Sequence, residues 1–125
     1  MNLKNKKILI TGATGGIGYS LVKKFYELDS IILATGTNKD KLDQLQKEFK
    51  NIKTKSFKLD QHAEIEKFID SCHEELGGID VLINNAGITL DNLSVRLSDE
   101  NWKKVIDINL TSTFLMCKQT IKKML

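Results

Sequence analysis

The chain has 125 residues, 41% hydrophobic and 28% charged, with a formal net charge of +3. That is the balance of one ordinary globular domain, long enough to bury roughly two-thirds of its unfolded surface. It excludes a membrane helix, because no stretch approaches ~18 apolar residues, and it offers no basic stripe with interleaved aromatics for nucleic acid.

The first residues, Met1 to Lys7, are basic but lead into no apolar signal core, which predicts a cytoplasmic protein made without a signal peptide. Ile8-Leu9-Ile10 is a short apolar run of the kind that forms a strand buried on both faces. It passes directly into Thr11-Gly12-Ala13-Thr14-Gly15-Gly16-Ile17-Gly18. A strand that ends in glycines and opens a helix presents bare backbone N–H groups, and the helix terminus adds partial positive charge, so the turn suits a phosphate. Gly12 would make the turn, Gly16 would admit a pyrophosphate, Gly18 would let helix and strand pack closely, and Thr14 would donate a hydroxyl hydrogen bond. Glycines at such turns also serve tight packing alone, and the spacing G-x-x-x-G-x-G differs from the older G-x-G-x-x-G fingerprint.

A first helix follows, with Ile17, Leu21, Phe25 and Leu28 as its apolar stripe. Ile31 to Ala34 reads as a second strand, and Leu42, Leu45 and Phe49 as the stripe of a second helix. Lys53 to Leu59 is a weaker, more polar strand suited to an edge. Ile65, Phe68, Ile69, Cys72 and Leu76 mark a third helix, with Gly77-Gly78 as its stop. Ile79 to Ile83 is a fourth strand, followed directly by Asn84-Asn85-Ala86-Gly87. Ligands of open parallel sheets bind beyond the carboxyl ends of strands, where two amides, a small residue and a glycine offer hydrogen bonds without bulk. The same four residues also suit a plain polar turn. From about Asp99 one long helix is expected, with Trp102, Val105, Ile106, Leu110, Phe114, Cys117 and Ile121 on its apolar face, and the chain stops within it at Leu125. Alternating strands and helices make βαβ units, and right-handed crossovers place helices on both faces of the sheet.

Cys72 and Cys117 are too few for a metal site or a disulfide framework and read as buried core thiols. His62 and His73 lack ligand-spaced partners and read as solvated helix-surface residues, so no metal site is expected.

Together the two turns give T-G-x-x-x-G-I-G at Thr11 to Gly18 and N-N-A-G at Asn84 to Gly87. With these motifs the chain resembles the N-terminal half of a short-chain dehydrogenase/reductase. Within that superfamily, Gly87 to Leu97 and Trp102 to Ser112 are similar to bacterial 3-oxoacyl-[acyl-carrier-protein] reductase. The resemblance spans essentially all 125 residues and implies a Rossmann-type doubly wound parallel α/β sheet, truncated after the fourth strand and its long helix, with strand order 3-2-1-4. Residues 1–125 would then be the NAD(P)-binding domain, the first half of a longer single-domain reductase. The resemblance further implies that Gly12, Gly16, Ile17 and Gly18 cradle the cofactor pyrophosphate, and that Asn85, Ala86 and Gly87 line the nucleoside side of the cleft. Asp60 matches the position that contacts adenine, although an Asp before Gln61 would also serve as a helix N-cap, and the segment after it is shorter than in relatives. Asn109 matches the asparagine of the family's Asn-Ser-Tyr-Lys tetrad, where it holds a water of the proton relay; the plain alternative is a helix-surface amide.

An acidic residue after the second strand would bond the ribose of NAD and repel the 2′-phosphate of NADP. Here Thr37-Asn38-Lys39 stands there, with no carboxylate until Asp40, so NADP (as NADPH) is the expected cofactor. Gly15 and Thr37 nevertheless occupy positions where many NADP-using relatives carry arginine. The two tyrosines, Tyr19 and Tyr26, lie in the first helix, and neither belongs to a Tyr-x-x-x-Lys preceded by the expected serine. Ketone reduction needs a positioned acid, so the chain alone is expected to be inactive.

Three readings compete. The first is part of an NADP-dependent reductase of 3-oxoacyl thioesters carried by acyl carrier protein in fatty-acid biosynthesis, a homotetramer when full length, or a related reductase of another carbonyl or alcohol. The second is a catalytically silent dinucleotide-binding protein. The third is an interaction module that pairs with a complementary half chain.

Overall fold

A computed structural model describes residues 2–125. Four strands, β1 (Lys7–Ile10), β2 (Ile31–Gly36), β3 (Lys53–Ser56) and β4 (Val81–Ile83), form one sheet. Every pairing is parallel and the order is β3-β2-β1-β4, the doubly wound arrangement expected from the sequence. The register sets Leu9 beside Leu33 on one side and Leu82 on the other.

Alternation along the central strands divides the core in two, because successive strand residues face opposite ways. Ile8, Ile10, Ile32 and Ala34 pack with Val22 of α1 (Gly16–Glu27) and with Leu45 and Phe49 at α2 (Lys39–Glu48). Leu9 and Leu33 pack on the other face with Ile65, Phe68, Ile69, Cys72 and Leu76 of α3 (Ile65–Leu76). Met116 joins them from α5 (Ser112–Met124). The preceding helix, α4 (Asp99–Ile106), is separated from α5 by a π-turn over Asp107–Thr111.

Local signals explain the boundaries. The Asn38 side chain caps α2 by accepting from Lys41 N–H at 3.0 Å, and Ser98 caps α4 through Asn101 N–H at the same distance. Asp99 and Glu100 lie in the first turn of α4, and Lys103 and Lys104 in its last, each sign matched to the helix dipole. Gly77 ends α3 in the left-handed region at φ +72°, and Gly78 N–H returns to His73 O at 2.9 Å. At the sheet's lower end Lys7 N–H bonds Asp80 Oδ2 at 2.8 Å, and its ammonium bonds Gly77 O at 2.6 Å, joining β1 to the α3–β4 turn.

Several expectations need correction. The buried face of α1 is Gly18 and Val22, not the stripe that starts at Ile17, whose side chain is 72% exposed. The reason is the turn itself: the helix begins against Gly12, which draws Gly18 inward and leaves Ile17 outward. The third strand ends at Ser56, and Phe57 turns to stack on Phe68 with ring centroids 4.1 Å apart. The single long helix is two helices, and Ser112, Met116 and Thr120 form the buried face of its second part. Trp102, Leu110, Phe114 and Ile121, expected on the apolar core face, are each more than half exposed. Cys117 is half-buried rather than a core thiol. His62 is also half-buried and makes tertiary bonds, so it is not a solvated surface residue.

Two outcomes follow from this packing. Leu9→Ala, which empties a fully buried site at the centre of the sheet, lowers stability by about 2–5 kcal/mol in urea denaturation. Burial pushes the Cys72 thiol up to about 12, so its thiolate is scarce in mildly alkaline buffer. Alkylation followed by mass spectrometry labels Cys117 first and reaches Cys72 only when denaturant is added.

Candidate functional site

The carboxyl end of β1 carries the first loop. Gly12 takes φ +62°, and a Cβ there would lie 2.8 Å from Ala86 Cα. A Cβ at Gly18 would fall inside the Gly12 carbonyl oxygen and 2.8 Å from Ala13 Cα. Both glycines are therefore required by close backbone approach. Gly16 differs, because nothing lies within 4 Å of the Cβ it lacks. It opens α1, whose N-terminus has no side-chain cap and no acid in its first turn. No side chain neutralises the leading N–H groups of that helix, and Gly16 and Ile17 are exposed there, an environment that suits an anionic group.

The second loop is tied to the first by Thr11, a residue for which the sequence reading had no role. Its hydroxyl donates to Ile83 O at 3.4 Å and accepts from Asn85 N–H at 3.1 Å and Ala86 N–H at 2.9 Å. One donor and two acceptors are the whole capacity of a hydroxyl, and all are used in a residue that is 1% exposed. Asn85 Nδ2 returns the link by donating to Gly12 O at 3.1 Å. Asn84 points the other way and donates to Cys117 Sγ at 3.2 Å. A hydroxyl at the end of a buried strand, beside the glycines, was the available signal for Thr11.

Between these loops and the ends of β2 and β3 lies a cavity of about 190 Å³. Of the sequence-identified residues it brings together Gly12, Thr14, Thr37, Ala86 and Gly87, with Thr11, Thr35, Phe57, Leu59, Ile88 and Ile108 among the other walls. Gly16, Ile17 and Gly18 stand at the adjoining helix start, and Asn85 lies behind Gly12. Asp60 is exposed in the turn after β3; the short 3-10 helix that follows starts at His62 and is preceded by Gln61, so Asp60 is not its N-cap. No carboxylate and no base lines the cavity. The Thr35 hydroxyl is buried with no partner, an orphaned polar atom in the wall of a cavity lined by threonines, glycines and apolar side chains. These features fit a dinucleotide: a cationic helix terminus for the pyrophosphate and a neutral slot beside it.

Asn109 sits within the π-turn, 3 Å or less from the second loop. Its Oδ1 accepts from Ile88 N–H at 2.9 Å and its Nδ2 donates to Ile88 O at 2.8 Å. A Cβ on Gly87 would press on Oδ1 at 3.3 Å. The amide thus pairs with a backbone as a neighbouring strand would, and holds residues 87–88 against the cavity. Asn109 is exposed on the helix surface, and both ends of its amide are engaged by the second loop.

The tyrosines supply no acid. Tyr19 is followed by Lys23 four residues on, yet its hydroxyl donates to Glu48 Oε1 at 2.5 Å and its ring packs on Phe49. That hydrogen bond, with burial and the Glu48 charge behind it, moves the phenol above its ordinary value, opposite to what proton donation near neutrality needs.

Comparison with known proteins agrees with this geometry. The short chain dehydrogenase family matches residues 6–125, and the chain belongs to that family. It is 38% identical, over its full length, to 3-oxoacyl-[acyl-carrier-protein] reductase FabG of Rickettsia conorii, and covers 51% of that protein. It is 34% identical to a 3alpha-hydroxysteroid dehydrogenase of Mediterraneibacter gnavus, again over its full length and 52% of the relative. A crystal structure described as a short-chain dehydrogenase/reductase, glucose/ribitol dehydrogenase, from Brucella melitensis superposes with a TM-score of 0.92 at 28% identity. That match covers 98% of this chain and 53% of the other. The chain spans about half the length of the curated relatives it matches. The family is one of oxidoreductases that use a nicotinamide dinucleotide. Among the described residues no helix is long and apolar enough to cross a membrane.

Thr11→Val removes the acceptor for two loop N–H groups while keeping the side-chain shape. It lowers stability by about 1–3 kcal/mol and accelerates amide exchange at Asn85 and Ala86, whereas Thr11→Ser retains both. Thermal melts and exchange on the three proteins check this.

Proposed function

We propose that this chain is the cofactor-binding half of an NADP-dependent reductase that converts a 3-oxoacyl thioester, carried on acyl carrier protein, to the 3-hydroxyacyl form in fatty-acid biosynthesis. The observation that carries the reading is the joining of two glycine-bearing loops around one uncharged cavity at the carboxyl end of the sheet. The likeness to FabG proteins of Rickettsia and Aquifex supports the substrate class.

In this reading the bare N–H groups at Gly16, Ile17 and Gly18 hold the pyrophosphate, with Thr14 and Gly12 beside them. Thr37 faces the adenine ribose end, Asp60 meets the adenine, and Asn85, Ala86 and Gly87 line the nucleoside. When bound, the dinucleotide supplies the hydride. Asn109 fixes the loop at Ile88 and holds a water of the proton relay, and the serine, tyrosine and lysine that complete the chemistry belong to the other half of the protein. The absence of a carboxylate around the cavity supports NADP, since nothing there repels a 2′-phosphate. The exposed apolar residues Leu110 and Phe114 support association of the complete enzyme with further copies, which in this reading is a homotetramer of the cytoplasm.

A second reading, reduction of another carbonyl or oxidation of another alcohol, draws support from the hydroxysteroid dehydrogenase at 34% identity. Protein made from its native gene and assayed with NADPH and an acetoacetyl thioester separates the two. Turnover of the thioester supports the first reading, and turnover of steroid or sugar substrates alone supports the second. No turnover by a native product of 14.1 kDa leaves a dinucleotide-binding or pairing role.

Cofactor binding is tested on the chain itself. Gly16→Asp introduces a side chain into open space, so the fold is kept, while its carboxylate opposes the pyrophosphate. NADPH affinity falls at least roughly tenfold by fluorescence titration, with an unchanged melting curve. Thr37→Asp reverses the preference, weakening NADPH by roughly tenfold and sparing NADH.

A further inference from the structure

The π-turn at Asp107–Thr111 is the one irregularity in an otherwise continuous helical stretch, and it contains Asn109. In such a turn the Asp107 carbonyl accepts from Ser112 N–H, five residues on, rather than from the fourth. The carbonyl tilts outward, and that leaves a lone pair to be satisfied. His62 reaches it from 45 residues away: Nε2 lies 3.0 Å from Asp107 O and 3.2 Å from Ser112 Oγ. Because a carbonyl only accepts, Nε2 carries the proton. Ser112 Oγ stands 2.6 Å from both Leu59 O and Asp107 O. The single Ser112 proton lies between these two carbonyls and is shared by them. The result is a closed network in which Ser112 is wholly buried. It fastens the turn after β3 to the π-turn, and Leu59 and Ile108, one from each, both line the cavity.

We infer that His62 is a positioning residue, whose Nε2–H holds the Asp107 carbonyl in its π-turn geometry and thereby aims Asn109 at the backbone of Ile88. If the Asp107 carbonyl is not held and accepts instead from Thr111 N–H, the turn narrows to α-helical spacing and the residues within it, Asn109 included, are displaced about the helix axis. The Asn109 amide then leaves Ile88. The functional weight of this rests on the proposed reductase reading, in which Asn109 serves the proton relay, but the geometry and its test do not require cofactor.

The experiment is nuclear magnetic resonance on the isotope-labelled chain without nucleotide. In the wild type, in alkaline buffer, the His62 ring nitrogens report their tautomer directly. The Nε2–H form is expected, and the Nδ1–H form overturns the inference with no variant needed. In His62→Ala the Asn109 side-chain amide resonances move to free-amide positions and Ile88 N–H exchanges at least about fivefold faster, while Leu9 and Ile69 signals stay in place. His62→Gln, which still offers an N–H at similar reach, restores both. A general loss of stability would move core signals as well and would not be repaired by glutamine. Asn109 and Ile88 signals that remain as in the wild type in His62→Ala overturn the assignment. A failure to bind NADPH changes none of these readouts, so the reductase reading and the role of His62 fail separately.

Discussion

Where the first loop meets the second, no side chain fits. A Cβ on Gly12 would strike the Ala86 backbone, and one on Gly18 would strike Gly12 itself. This double exclusion lets α1 begin directly over the end of β1 and lets the loop after β4 lie against it. The Thr11 hydroxyl then uses its full bonding capacity to hold that approach in place. The cavity beyond exists because the backbones converge here, and the exposed N-terminus of α1 is the electrostatic consequence. Steric constraint, hydrogen bonding and helix dipole act at one point, so a change to any of them is felt by the others.

The rest of the fold supplies a rigid floor for that point. Continuous apolar runs can be buried on both faces only if helices cover both, and β1 and β2 divide their side chains accordingly. Each Ile or Leu so buried contributes about 1.5–3 kcal/mol, which fixes the strand ends from which both loops project. The Lys7 links at the opposite end of β1 close the turn before β4. The parallel register therefore brings Thr11 and Asn85 together without either loop having to be ordered by itself.

Much of this was legible in sequence, for identifiable reasons. The runs at Ile8 and Ile31, the stripe from Ile65 to Leu76 and the glycine stop at Gly77 are local signals with strong periodicity, and the strand order followed from the family resemblance. The errors lie where local pattern and tertiary packing disagree. In α1 the hydrophobic count favours Ile17, but the buried position belongs to Gly18, because the space beside Gly12 admits only hydrogen. In α5 the largest residues suggested the buried stripe, yet Ser112, Met116 and Thr120 take it. Small and polar residues with internal partners, such as Ser112, are invisible to a hydrophobic pattern. His62 gave no signal at all, since its partners are 45 and 50 residues away and one is a carbonyl that a regular helix would not release.

The two edges of the sheet differ in character. At β3 the exposed edge is rich in lysine, and it is engaged: Lys55 pairs with Glu75 at 2.8 Å and Lys53 bonds the Glu75 carbonyl. Charge of this kind blocks the addition of another strand. At β4 the outer edge is Val81-Leu82-Ile83, with all three residues half-buried and no charged side chain among them. Asp80 lies just before the strand, and its carboxylate is turned back to Lys7. Beside that edge a groove between β4 and α5 is lined by Val81, Leu82, Asn84, Cys117, Thr120 and Ile121, and Thr120 brings to it a buried hydroxyl with no partner. A guarded edge at β3 and an apolar, unguarded one at β4 make the sheet directional. On the proposed reading, β4 is the edge at which the sheet of the complete reductase continues. An apolar edge that would otherwise invite aggregation is then covered within one sheet.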